Sequence, residues 1–249
     1  MRKEQPTNPL YIVYLVGAGI ALLAVYFWFA PANSGRASIG GRGELAILPP
    51  KALPTPPPVQ RSRQGPGRLR VGIIAGHSGS ENDPGAVCPD GLTEVSININ
   101  VAELVVNQLR SQGIRSEQLT EFDPRLQGYV ASALVSIHAD SCGFPGKTGF
   151  KAASLEGSAN PENQLLVDCL VTAYNHRTGL PFDPHTITYD MTQYHAFSEI
   201  DPQTPGAIIE IGFMLDDRDL LTNNQEQVAQ GIVDGIYCFL QERKERNGR

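Results

Sequence analysis

Paired cysteines at metal-binding spacing are missing from this chain. Its four cysteines, Cys88, Cys142, Cys169 and Cys238, include no CxxC, which sets aside a thiolate zinc site of the finger or ribbon kind. No internal repeat is present either. Positive charge is scarce over most of the length: residues 69–249 hold 12 Lys/Arg against 24 Asp/Glu, a balance of −12. Duplex nucleic acid is gripped by neutralising phosphates with clustered Lys/Arg, so nucleic acid is excluded as a partner. The apolar content suits a globular core rather than a disordered chain.

Charge of either sign vanishes from LYIVYLVGAGIALLAVYFWFA, residues 10–30. Such a run is long enough to cross a bilayer as a helix, and Tyr11, Tyr14, Tyr26 and Trp28 sit towards its ends, where aromatic rings favour the interface. The expectation is a single-pass signal-anchor helix after a short N-terminal segment, 1–9. A signal peptide cleaved after Ala32, giving a secreted form, is the rival reading, but the apolar run exceeds an ordinary signal h-region. Residues 31–68 are rich in Pro and Gly and carry six Lys/Arg. They read as a basic tether that spans at most ~125 Å, at about 3.3 Å per residue. The short head and long tail put the remaining segment, 69–249, outside the cytoplasm.

That segment alternates short apolar runs with helical periods. Strands are expected at 69–76, 114–120, 133–140 and 207–213, with an edge strand at 149–155. Apolar spacing predicts helices over 93–112, 163–177 and 224–243. Alternation of this kind indicates an α/β sheet covered on both faces. Ligands of such sheets collect beyond the carboxyl ends of the strands, and polar residues stand there. His77 follows VGIIAG, His138 follows LVSI, and Glu210 follows AII, while Glu94 opens the first long helix. Two imidazoles and a carboxylate suit zinc with a fourth position left for water, and a second carboxylate is then free to move protons. This explains why an acid sits in GAIIEIGFM, where an unpartnered carboxylate would be costly. Any one of these residues alone would be an ordinary structural His or first-turn acid. His176, His185 and His195 lack the same context, although His195 in YHAFSE is a weak candidate for substrate contact.

The blocks AGHSG with DPGA, GLTE, VSIHAD and IIEIGF with a following Asp217 resemble, in order and separation, the zinc-dependent N-acetylmuramoyl-L-alanine amidases of the amidase 3 type. The resemblance spans most of residues 71–240. It implies a mostly parallel, six-stranded sheet between helices, one Zn²⁺ held by His77, Glu94 and His138, and Glu210 as the catalytic glutamate. The implied substrate is peptidoglycan, cleaved between N-acetylmuramic acid and L-alanine of the stem peptide. Three positions depart from the family pattern: Asp140 stands where Asn is usual, Ser78 where Gly is usual, and an expected arginine before VSIHAD has only Arg125 as a candidate. None is a proposed ligand.

Two other readings compete. A zinc carboxypeptidase-like peptidase would place an acid three residues after the first histidine, where this chain has Ser80, with Glu81 one residue later. A wall-binding module that has lost catalysis predicts a missing ligand or base, and none is missing. The cysteines allow three pairings. A bridge between Cys88 and Cys142 across the rim of the site is one, while Cys169 and Cys238 are either buried thiols or a second bridge.

Overall fold

The computed structural model describes residues 69–80 and 82–248. Its elements are β1 (Arg70–Ala75), α1 (Glu94–Ser111), β2 (Arg115–Thr120), β3 (Ala133–Asp140), β4 (Lys151–Ala153), α2 (Glu162–Thr178), α3 (Tyr189–Thr192), α4 (His195–Glu199), β5 (Gly206–Phe213), α5 (Arg218–Asn223) and α6 (Gln225–Asn247). The strands form one sheet in the order β2-β1-β3-β5-β4. Neighbours are parallel except β4, which runs antiparallel to β5 at the edge.

Two expectations are corrected. The sheet is mixed and has five strands, not six. After β2 the chain turns at once, with Pro124 opening a 3₁₀ turn and Asp123 accepting from the Arg125 N–H. Residues 183–200 are likewise cut into short helical turns by Pro184 and by the capping side chains of Asp183 and Thr188. Neither stretch can run straight for a sixth strand. The expected transmembrane helix is not part of this fold. No helix among the described residues is long and apolar enough to cross a membrane, and residues 10–30, like the tether at 31–68, lie outside the described residues.

Alternation along the strands assigns every side chain to a face. Val71, Ile73 and Ala75 of β1, Ala133, Val135 and Ile137 of β3, and Ala207, Ile209 and Ile211 of β5 share one core with α1, α2 and α6. Helix α1 joins it through Ile97, Val101, Val105 and Leu109, and α6 through Val228, Ile232, Ile236 and Phe239. Full burial of each such side chain contributes about 1.5–3 kcal/mol. The opposite face is covered more thinly. Ile74, Leu134 and Ile208 meet Leu126, Tyr129, Met191, Tyr194, Phe197 and Ile200 from loops and short helices. His138 and Glu210 fall in register with each other on this second face.

Two disulfides tie the architecture. Cys88–Cys142 joins the loop after β1 to the loop after β3, with Cα atoms 5.5 Å apart. Cys169–Cys238 joins α2 to α6 at 5.7 Å.

Candidate active site

At the carboxyl end of β1 the chain makes its last sheet contact through the Gly76 N–H, which donates to Ile137 C=O at 2.9 Å. His77 then turns with φ of 61°, a left-handed conformation that costs a non-glycine residue roughly 1–2 kcal/mol. Its N–H donates to Glu121 Oε2 at 2.9 Å. In return the Glu121 N–H donates to Ser78 C=O at 2.9 Å, so the turn and residue 121 hold each other.

Glu94 is the first residue of α1, where the helix N-terminus favours an anion. Its N–H donates to Ala86 C=O at 2.8 Å, and its Oε2 accepts the Ala86 N–H at 3.0 Å. Oε1 accepts from Asn98 Nδ2 at 3.2 Å and from the Ala139 N–H at 3.3 Å. Asn98, fully buried, also donates to Gly76 C=O at 3.1 Å. The carboxylate is thereby aimed before any ligand arrives.

His77 Nε2 lies 3.2 Å and His138 Nδ1 lies 3.1 Å from the same oxygen, Glu94 Oε1. One atom from each of the three residues lies within 4.8 Å of the others. Two ring nitrogens and a carboxylate oxygen so gathered can hold a divalent metal ion. The outward nitrogens suit that role as well. His77 Nδ1 is 2.7 Å from Asp83 Oδ2, and His138 Nε2 faces Glu121 Oε2 at 3.5 Å, an ion-pair distance beyond a good hydrogen bond. Metal-ligating imidazoles commonly turn their second nitrogen to a carboxylate in this way.

Close packing admits little else here. A Cβ on Gly76 would lie 2.3 Å from His138 Cε1. One on Gly85 would lie 2.7 Å from both Glu94 Oε2 and His77 Cδ2, at a φ of 63° that glycine adopts freely.

Charges within the cluster perturb each other strongly. Glu94 raises His77 to about 9, against partial burial and with help from Asp83. Burial lowers His138, but Glu121 and Glu94 outweigh it and leave the ring raised. Burial pushes Glu94 up, and the two imidazoles more than reverse that, holding it well below the usual carboxylate range.

Glu210 stands beside His138 on the neighbouring strand, and its Oε2 is buried without a hydrogen-bond partner. Burial lifts this carboxyl to about 7; His138 pulls against the lift, Glu94 and Asp140 add to it, and Lys151 opposes it. Lys151, almost fully buried, is the β4 residue opposite Glu210 and forms an ion pair with Asp140. Asp140 is therefore balanced by a cation from the edge strand.

All four residues singled out from the sequence thus collect at one end of the sheet. The His195 ring is held within the protein, both of its nitrogens facing carboxylates, Nε2 to Glu121 Oε1 at 3.0 Å and Nδ1 to Glu199 Oε1 at 2.9 Å. Arg125 is likewise committed elsewhere, to Asp123 and Glu117. His176 and His185 are exposed. Sequence reasoning missed Glu121, although it directly follows β2 as His77 follows β1, and the same strand-end rule would have found it.

Residues 71–238 match the family model described as N-acetylmuramoyl-L-alanine amidase, Amidase_3. No curated protein matches the chain in sequence. Among solved structures it is similar to an N-acetylmuramoyl-L-alanine amidase from Clostridium difficile 630, at 19% identity and a TM-score of 0.57 over 70% of this chain and 97% of that one. Ami1 from Mycobacterium smegmatis gives 20% identity and a TM-score of 0.58 over 70% and 97%. AmiC2 of Nostoc punctiforme gives 24% and 0.53 over 70% and 98%. At these identities the likeness is one of fold. The family match, which covers more than half of the chain and contains every residue of the cluster, carries the assignment: this chain belongs to the amidase 3 family of N-acetylmuramoyl-L-alanine amidases, which hydrolyse the amide between N-acetylmuramic acid and L-alanine in peptidoglycan.

Proposed function

We propose that the amidase reaction of this chain is zinc-dependent, with His77, Glu94 and His138 holding one Zn²⁺ and Glu210 acting as general base, and that it takes place outside the cytoplasm. The convergence of His77 Nε2 and His138 Nδ1 on Glu94 Oε1, with an unpartnered Glu210 Oε2 on the strand beside His138, carries this reading. When bound, the ion supplies Lewis acidity, polarising the scissile carbonyl and bringing the pKa of water towards ~7. Glu210 takes a proton from the attacking water as its oxygen adds to the amide carbon. It then returns that proton to the alanine nitrogen as the C–N bond breaks. The products are a lactyl carboxylate on the sugar and a free stem-peptide amine. Standing beside positive charge, Glu210 would be favoured as the carboxylate, offsetting the upward pull of burial. Two disulfides support the extracytoplasmic setting, because such bonds persist in oxidising compartments.

Mass spectrometry of digested peptidoglycan tests the proposal together with metal analysis. Whole stem peptides released in proportion to bound zinc are expected; trimmed stems would indicate a peptidase instead, and an unchanged wall a binding module. Glu210→Ala is expected to keep its zinc and to lose at least ~10²-fold in rate, the low end of what general-base assistance contributes. Undiminished cleavage by that variant removes Glu210 from the role.

A further inference from the structure

We propose that Glu121 is the positioning residue of the metal site, holding the backbone turn at His77 and the ring of His138 at once through a carboxylate that Tyr194 and His195 hold in place. The inference rests on the zinc reading above and adds residues that lie behind its ligands.

Glu121 reaches each histidine by a different route. Its Oε2 accepts the backbone N–H of His77 at 2.9 Å, which secures a residue in a left-handed turn. The same oxygen faces His138 Nε2 at 3.5 Å, on the side of the ring away from Glu94. Oε1 accepts from Tyr194 Oη at 2.8 Å and from His195 Nε2 at 3.0 Å. Further anchors lie behind these: Ser136 Oγ donates to Tyr194 Oη at 3.0 Å, and Glu199 holds His195 Nδ1 at 2.9 Å. Tyr194 and Glu121 are themselves buried, so water cannot substitute freely for a lost partner.

The chemistry of the site demands an ionised acid. A carboxylate only accepts, and donors approach both of its oxygens here. An amide in its place has one accepting oxygen and one donating NH₂. Whichever way it is turned, the NH₂ meets either Tyr194 and His195 or His77 and His138. Glu121→Gln therefore preserves size while breaking one half of the arrangement, and it replaces neither a metal ligand nor the base.

Zinc affinity of Glu121→Gln, measured by competition with a chromophoric chelator, is expected to fall about 10–100-fold, the usual cost of losing a group that orients a metal-ligating histidine. With Co²⁺ in place of zinc, the visible absorption bands should shift, because the ring of His138 is no longer fixed. In steady-state cleavage, kcat should fall with little change in KM. Tyr194→Phe removes one donor to the same carboxylate and should give the same pattern more weakly; it serves as the test should the glutamine variant fail to fold. A wild-type affinity and Co²⁺ spectrum in folded Glu121→Gln, or in Tyr194→Phe if only that folds, overturns this inference alone. Wild-type protein that takes up no metal through His77 and His138 overturns the zinc reading, and this one with it.

Discussion

His77 and His138 stand among acids, and that sets how the site must respond to pH. Glu94 holds His77 up at about 9, and Glu121 and Glu94 hold His138 up at about 10 against its burial. At pH 7, below both values, each ring carries an extra proton in protein stripped of metal. A nitrogen must be neutral to ligate, so loading displaces those protons, about two per ion. The sign follows: affinity rises with pH, by up to ~100-fold per unit while both rings are charged, and less steeply above about 9, where His77 has given up its proton. Calorimetric titration of Zn²⁺ into stripped protein, in two buffers of different ionisation enthalpy, counts the protons released. Identical heats in both buffers would mean that these rings are not the ligands or are already neutral. The sequence makes His77, Glu94, His138 and Glu210 legible because His77 follows a strand, Glu94 opens a helix, and His138 and Glu210 lie in the carboxyl-terminal halves of their strands. Glu121, directly after β2, falls under the same rule, whereas Asp83 is harder to read, since what marks it is the His77 ring nitrogen it faces, and that pairing exists only after the chain has folded.

At the scale of elements, period-two alternation separates stability from chemistry within single strands. In β5, Ile209 and Ile211 belong to the core beneath the three long helices, whereas Glu210 between them faces the metal-ligand side. Ile209→Ala is therefore expected to cost ~2–5 kcal/mol in urea unfolding, as buried Ile truncations do, while zinc affinity measured on the folded protein stays within about twofold. A large loss of affinity with unchanged stability would show that the two faces of the strand are wrongly assigned. Short apolar runs and helical apolar spacing are why the long elements were legible in the sequence: α1, α2, α6, β1, β3 and β5 lie close to their expected bounds. What could not be read was the second face. It is covered by residues 122–132 and 187–200, whose turns are set by Pro124, Pro184 and side-chain caps rather than by any period. Among the described residues no sixth strand joins the sheet, and β4 shrinks to Lys151–Ala153.

At the scale of the molecule, the two disulfides divide the work between folding and the site. Cys169–Cys238 closes a loop of 69 residues between α2 and α6, and Cys88–Cys142 closes one of 54. In the chain-entropy account, each constrains the unfolded state by up to about 4 kcal/mol, with 2–4 kcal/mol typical. Their positions differ in consequence. Cys169 and Cys238 lie in helices on the face away from the cluster, so replacing both with serine should lower the melting temperature and leave metal affinity on the folded protein intact. Cys88 lies between Asp83 and Glu94 in sequence, and its partner Cys142 follows the strand that carries His138. Freeing that bridge loosens the loop that presents Asp83 to His77 Nδ1. The Cys88→Ser/Cys142→Ser protein should therefore lose both thermal stability and several-fold zinc affinity, read by calorimetric unfolding and chelator competition on the same preparations. Should both double variants lose stability alone, the rim bridge is a staple of the fold and has no part in aligning the ligands.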